Sequence, residues 1–180
     1  MSALVVYESV YGNTHKVAEA IAEGLAAGAF AVSQIGPEDV SGLDLLVVGG
    51  PTHMHGMTTK RSRELAAEVA RQDGEVDVDE HADSEPGLRT WLRTLPDGNG
   101  RPAAAFDTRL DSSPFLTGRA SHGISSRLRR RGYDVLAFQS FLVSQSEGPL
   151  APGELERARR WGAELAALAA SAQPRLLGVS

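Results

Sequence analysis

Short apolar runs alternate with longer amphipathic stretches along the chain. The first run, Ala3 to Tyr7, is almost continuously apolar, which is typical of a strand that is buried on both faces. In the next stretch, from Thr14 to Ala27, the apolar residues Val17, Ile21 and Leu25 recur at helical spacing. The pattern therefore predicts a buried strand followed by a helix that packs one stripe against it.

The same alternation continues through the rest of the chain. Further strands are predicted at 29–35, 43–49, 102–106 and 133–143, and further helices at 58–71, 87–95, 121–131 and 152–170. Strands that alternate with helices in this way pair in parallel and carry helices on both faces of the sheet. We therefore predict one α/β domain over residues 1–180, with a doubly wound five-stranded parallel sheet in the order 2-1-3-4-5.

One acidic segment, residues 72–86, interrupts this rhythm. It contains seven carboxylates and no Lys or Arg. Loops of this length without structure of their own are uncommon inside compact domains. We interpret the segment as a solvated insertion, and the alternative is an acidic lid or a docking surface for a basic partner.

Composition excludes several classes of function. The chain has no cysteine, so it has no disulfide, thiolate zinc site, iron–sulfur cluster or cysteine nucleophile, and redox chemistry would need a bound cofactor. A net charge of -5 argues against binding nucleic acid through phosphate neutralisation. The start of the chain does not resemble a signal peptide and no apolar run is long enough to span a membrane, so we expect a cytoplasmic protein.

The strongest chemical motif lies between the first strand and the first helix. A loop that leads into a helix presents unpaired N–H groups and the positive end of the helix dipole, which together bind phosphate. Gly12 has no Cβ and lets the backbone approach a ligand closely. An ordinary capped turn is the alternative. The candidate phosphate-binding residues are Ser9, Val10, Tyr11, Gly12, Asn13 and Thr14.

A second motif follows the third strand. In the predicted sheet the first and third strands are neighbours whose helices leave on opposite sides, and ligands bind in the crevice that opens there. His53 and His55 also suggest a metal site, but no third ligand accompanies them, so we expect them to line the crevice. The candidate residues of this loop are Pro51, Thr52, His53, Met54, His55 and Gly56.

These two loops resemble the phosphate loop and the first flavin-flanking loop of the flavodoxin family. The family loop is commonly [ST]-x-[ST]-G-N-T, which Ser9, Gly12, Asn13 and Thr14 match. Tyr11 departs from it, as in flavodoxin-like quinone reductases and flavoprotein oxidases. The resemblance implies FMN as cofactor, a role in electron transfer or as a small flavin oxidoreductase, and a redox partner protein or a small-molecule electron acceptor.

The resemblance also assigns a third loop, after the fourth strand, to the other face of the flavin. Its candidates are Asp107, Thr108 and Arg109, and it lacks the Tyr that the family often has there. Arg109 could point at the N1–C2 edge of the flavin and stabilise its anionic reduced form, or it could be a surface side chain paired with Asp107 or Asp111.

Two other functions remain open. Because the loops lack the usual flavin-flanking aromatics, the chain could be a flavodoxin-fold binding or regulatory module that no longer binds flavin. A phosphorylation-receiver domain needs an Asp at the end of the third strand, where this chain has Gly49 and Gly50. The basic run Arg127, Arg129, Arg130 and Arg131 is expected to be the solvated face of its helix.

Overall fold

The computed structural model describes residues 1–53, 56–73, 78–111, 118–145 and 148–172, without the side chains of 66, 67 and 69–73. The strands are β1 (Ala3–Tyr7), β2 (Gly28–Ala31), β3 (Leu45–His53), β4 (Gly56–Met57), β5 (Pro102–Leu110) and β6 (Asp134–Val143). The helices are α1 (Asn13–Leu25), α2 (Lys60–Asp73), α3 (Leu88–Thr94), α4 (Ala120–Arg130) and α5 (Glu154–Ala172).

The parallel strands lie in the order β2-β1-β3-β5-β6, with β3 at the centre. This confirms the predicted order 2-1-3-4-5, because β4 is a two-residue strand that pairs only with the end of β3. The register sets Tyr7 beside Gly49 and Gly49 beside Phe106, so β1, β3 and β5 end at the same edge of the sheet. The turn with the first candidate motif leaves from this edge. The third set, Asp107, Thr108 and Arg109, was predicted in a loop but lies within β5, because β6 pairs with β5 as far as Leu110.

Three predicted strand boundaries were wrong. The second strand ends at Ala31 and not at 35, because residues 32–34 form a 3-10 turn in which the Ala31 amide donates to the Gln34 side chain. The third strand continues to His53 because β4 folds back on it, and the fourth reaches Leu110 because β6 pairs with it to its end.

Helices cover both faces of the sheet, as the alternation predicts. One core contains α1, α5 and the inward side chains of β1, β3 and β5, and the other contains α3 and α4. Two glycines let α1 and α5 come together. A Cβ at Gly24 would lie 2.0 Å from the carbonyl oxygen of Arg159, and one at Gly162 would lie 2.2 Å from that of Ile21.

None of the described helices is long and apolar enough to cross a lipid bilayer.

Candidate functional site

The turn that joins β1 to α1 bends at Gly12 into the start of the helix. Gly12 caps α1 with φ 76°, and the helix begins with the bond from the Lys16 amide to the Gly12 carbonyl. A Cβ at Gly12 would meet nothing within 4 Å, so the turn needs glycine for its left-handed backbone and not for lack of space.

Several donors in this turn have no acceptor within the described part of the chain. The amides of Gly12, Asn13 and Thr14 donate to no other described residue. The hydroxyl of Ser9 is buried and has no hydrogen-bond partner there. Buried polar groups are normally paired, so an orphaned hydroxyl beside free amides at a helix N-terminus fits an anion such as phosphate.

The side chains of Asn13 and Thr14 have structural partners. Asn13 Nδ2 donates to the carbonyl of Gly148 at 2.7 Å, and Thr14 Oγ1 lies 2.7 Å from Thr108 Oγ1. The bonds join the start of α1 to strand β5 and to the loop after β6. Thr108 therefore lies buried against the turn.

The second motif forms a hairpin at the edge of the sheet. Thr52 pairs with Met57, and the exposed His53 pairs with Gly56. The predicted flavin-flanking residues Met54 and His55 lie outside the described residues. Pro51, also a candidate, lies beside Thr108 in the register of β3 and β5.

Thr52 and Asp107 hold the base of this hairpin to α4. Thr52 Oγ1 donates to Asp107 Oδ2 at 3.1 Å and accepts from the Ala120 amide at 2.8 Å. Asp107 is fully buried, and its Oδ2 also accepts from the Ser121 amide at 2.8 Å. These two candidates thus occupy the N-terminus of α4, where a carboxylate is favoured by the helix dipole.

Arg109 lies near the carboxyl end of β5, beside Leu142 of the edge strand β6. Its Nη1 donates to the carbonyl of Leu110 at 3.1 Å. Its side chain lines a cavity of about 400 Å³ at the edge strand β6, together with Arg119, Phe138 and Arg157.

Sequence reasoning missed a buried ion pair behind the turn. Glu8, directly after β1, has Oε2 2.9 Å from Arg63 Nη1 of α2 and accepts the Leu88 amide at 2.7 Å. Thr58 donates its hydroxyl to the other oxygen. Burial raises the pKa of Glu8 and outweighs the opposing effects of Arg63 and the Leu88 amide. The sequence offered one indication of this ion pair, because Glu8 is a charged residue directly after a buried strand.

The end of the acidic segment packs onto the turn. The Asp79 amide donates to the Val10 carbonyl at 2.8 Å, and Asp79 Oδ2 lies 3.1 Å from His15 Nδ1. Ala82 packs against Val10. Asp79 and Ala82 are therefore buried against the turn, whereas Glu80, Asp83 and Glu85 of the same segment are exposed, as a solvated insertion would have them.

The described residues contain no group of three or more His, Cys, Asp or Glu that could hold a metal ion.

Comparisons with known proteins agree with this fold. A family model described as "Flavodoxin domain" matches residues 4–61. A flavodoxin from the domain Archaea is 20% identical with a TM-score of 0.61 and covers 94% of this chain and 99% of its own. A flavodoxin, WrbA-like protein from Agrobacterium tumefaciens is 21% identical with a TM-score of 0.56, covering 94% and 98%. No curated protein sequence matches the chain.

Proposed function

Because the chain resembles the flavodoxin family in fold and in its first 61 residues, we propose that it binds FMN and acts in electron transfer or as a small flavin oxidoreductase. The observation that carries this proposal is the turn at Gly12. Its free amides and the orphaned Ser9 hydroxyl form a site for a phosphate group at the carboxyl edge of the sheet.

The phosphate of FMN would be held mainly by the backbone. The amides of Gly12, Asn13 and Thr14 stand at the positive end of α1, and the Ser9 hydroxyl adds one donor. The buried carboxylate of Glu8 adjoins this turn and would repel a phosphate. Its ion pair with Arg63 offsets that charge.

The isoalloxazine ring would lie against the β3–β4 hairpin, which carries Pro51, His53 and Gly56 in its described part. The hairpin is held in place because Thr52 is anchored to Asp107 and to α4. FMN would supply the electron-accepting chemistry when bound, while the protein orients it and tunes its electrostatic surroundings. A redox partner protein or a small-molecule electron acceptor would complete the reaction.

A second candidate is a flavodoxin-fold module that no longer binds flavin. What favours it is that Thr52, Asp107 and Thr108, which were expected near the ring, are bonded within the protein. The isoalloxazine ring would then be contacted mostly by the β3–β4 hairpin, with few contacts from β5.

A single mixing experiment separates the two. The purified chain is incubated with excess FMN, desalted, and examined by its visible spectrum during stepwise chemical reduction. We expect retained flavin, a perturbed spectrum, and stabilisation by about 2.7 kcal/mol when free FMN is about 100 times its Kd. A colourless protein whose melting temperature does not change with FMN would support the module without flavin.

A further inference from the structure

We propose that four arginines on α3 and α4 form a docking surface for the acidic face of a partner protein. This arginine face consists of Arg89 and Arg93 on α3 and Arg127 and Arg130 on α4. The two helices belong to the same core cluster on one side of the sheet. The sequence predicts a solvated helix face for the arginine run on α4 and contains no signal that links it with α3.

The charges of the arginine face are not compensated. In the described part of the chain, no carboxylate lies within 4 Å of any of its four guanidinium groups. Neither helix contains an Asp or Glu, although the whole chain has a net charge of -5. Burial, followed by the charges of Arg89, Arg130 and Arg93, lowers the pKa of Arg127. The two helices contact each other, so Arg127 lies within reach of the charges of the other three, and an anionic surface would offset that repulsion.

Three of the four guanidinium groups are already oriented by backbone carbonyls. Arg89 donates from Nε to Thr58 at 2.7 Å and from Nη2 to Met57 at 2.5 Å. Arg127 Nη1 donates to the Gly123 carbonyl at 3.0 Å. Arg130 Nε donates to the carbonyl of Ser126 at 3.2 Å.

Each guanidinium has five N–H donors, so each retains donors for a further anion. Because these guanidinium groups are already held, they lose less side-chain freedom on binding than unrestrained arginines would. Arginine binds a carboxylate through two parallel hydrogen bonds.

The net charge of the chain and the small number of arginines in the face favour a protein partner over nucleic acid. The net negative charge repels a polyanion at long range, and nucleic-acid affinity needs many neutralised phosphates. A small acidic patch on another protein would contact only the arginine face and would be repelled less by the rest of the chain. Arg89 also contacts the residues that follow the hairpin, so the face adjoins that edge of the sheet. If FMN binds as proposed, a docked partner would lie beside the flavin, but the docking itself does not depend on flavin.

The test is a titration of the full chain, labelled with ¹⁵N and followed through its arginine Nε–H resonances. The probe is a short polyglutamate peptide at about 50 mM salt, where exposed charges are weakly screened. We expect saturable shifts at the arginine face and none at Arg160, which is exposed on α5 across the sheet. Arg93 and Arg130 are both exposed, so R93E/R130E should fold normally and bind about tenfold or more weakly. R160E should bind like the wild type.

Three results would overturn the proposal. The first is the absence of saturable shifts, and the second is equal shifts at Arg160. The third is tighter binding of a short DNA duplex of equal charge to the same arginines, which would make nucleic acid the occupant. Because flavin-free protein is used, none of these results depends on the FMN site.

Discussion

The carboxylate of Glu8 and the guanidinium of Arg63 lie 2.9 Å apart, with side-chain exposures of 4% and 5%. Glu8 stands between β1 and the turn at Gly12, and it also accepts the amide of Leu88 at the start of α3. One carboxylate thus ties β1, α2 and α3 together directly behind the candidate phosphate site.

Arg63→Met should destabilise the fold by about 3–5 kcal/mol, because it leaves the buried carboxylate of Glu8 without its cation. The free energy of unfolding in urea measures this. Arg61→Met, at an exposed position of the same helix, is the matched control and should change stability by less than about 0.5 kcal/mol. Equal losses in the two variants would show that the ion pair contributes nothing particular.

Glu154 predicts a pH dependence. Its Oε2 accepts the Leu142 amide of the edge strand β6, and Arg157, which it also binds, donates to the Ser140 carbonyl. Burial acts to raise the pKa of Glu154, but the bonds from Arg157 and the Leu142 amide outweigh it, so the pKa is lowered from 4.5. The unfolded state therefore binds the proton more readily in this range, and stability rises with pH.

The stability advantage of the wild type over Glu154→Gln should be complete above pH 4.5 and shrink as the pH falls below it. Urea unfolding of both proteins across that range is the measurement. Glu156→Gln, at an exposed carboxylate of the same helix, should cost about 0–1 kcal/mol. A difference between the wild type and Glu154→Gln that does not change with pH would refute the assignment.

The packing of residues 78–84 against the turn should depend on Asp79. Its carboxylate accepts the His81 amide at 2.9 Å and contacts His15. Asp79→Ala removes both contacts, at a cost of about 1–2 kcal/mol, and should speed amide hydrogen exchange in residues 78–84 by about 5–30-fold. Glu80→Ala, which removes an exposed carboxylate from the same segment, should leave exchange nearly unchanged. Equal protection in both variants would mean that the segment is held by other contacts.

Thr52→Val should loosen the attachment of the hairpin to α4. The substitution keeps the shape of the side chain but removes the hydroxyl that joins Asp107 to the Ala120 amide. We expect a loss of about 1–3 kcal/mol in the free energy of unfolding, since buried polar groups lose a partner. Thr90→Val, at an exposed helix position, is the control. A loss no larger than that of the control would show that the bridge is not needed.

The fold followed from the sequence because its determinants are local. Apolar runs and helical spacing fix the type of each element, and parallel crossovers then leave few strand orders. The predicted strand ends were wrong where hydrogen bonding to a neighbouring strand sets the length of a strand. For example, β3 extends to His53 only because β4 pairs with its end. The spacing of apolar residues along the chain does not show which strand will pair with which.

The candidate site was predictable only where its parts are contiguous. Residues Ser9 to Thr14 form one turn, so their arrangement at a helix start could be deduced from the sequence. The pairs Glu8–Arg63 and Thr52–Asp107 each join residues 55 positions apart. No local sequence pattern indicates contacts between residues so far apart. The sequence therefore could not show that these side chains bond to one another.

If main-chain amides around Gly12 hold the phosphate of FMN, as we propose, the protein should bind FMN more tightly than riboflavin. Quenching of flavin fluorescence gives the Kd of the protein for FMN and for riboflavin, which differ only in that phosphate. We predict that FMN binds about 100-fold or more tightly, equivalent to about 2.7 kcal/mol. Ser9→Ala should narrow this difference only in part, by about 1 kcal/mol, because the main-chain amides remain. Ser41→Ala, at an exposed residue, should leave it unchanged. Equal affinity for FMN and riboflavin would contradict the account.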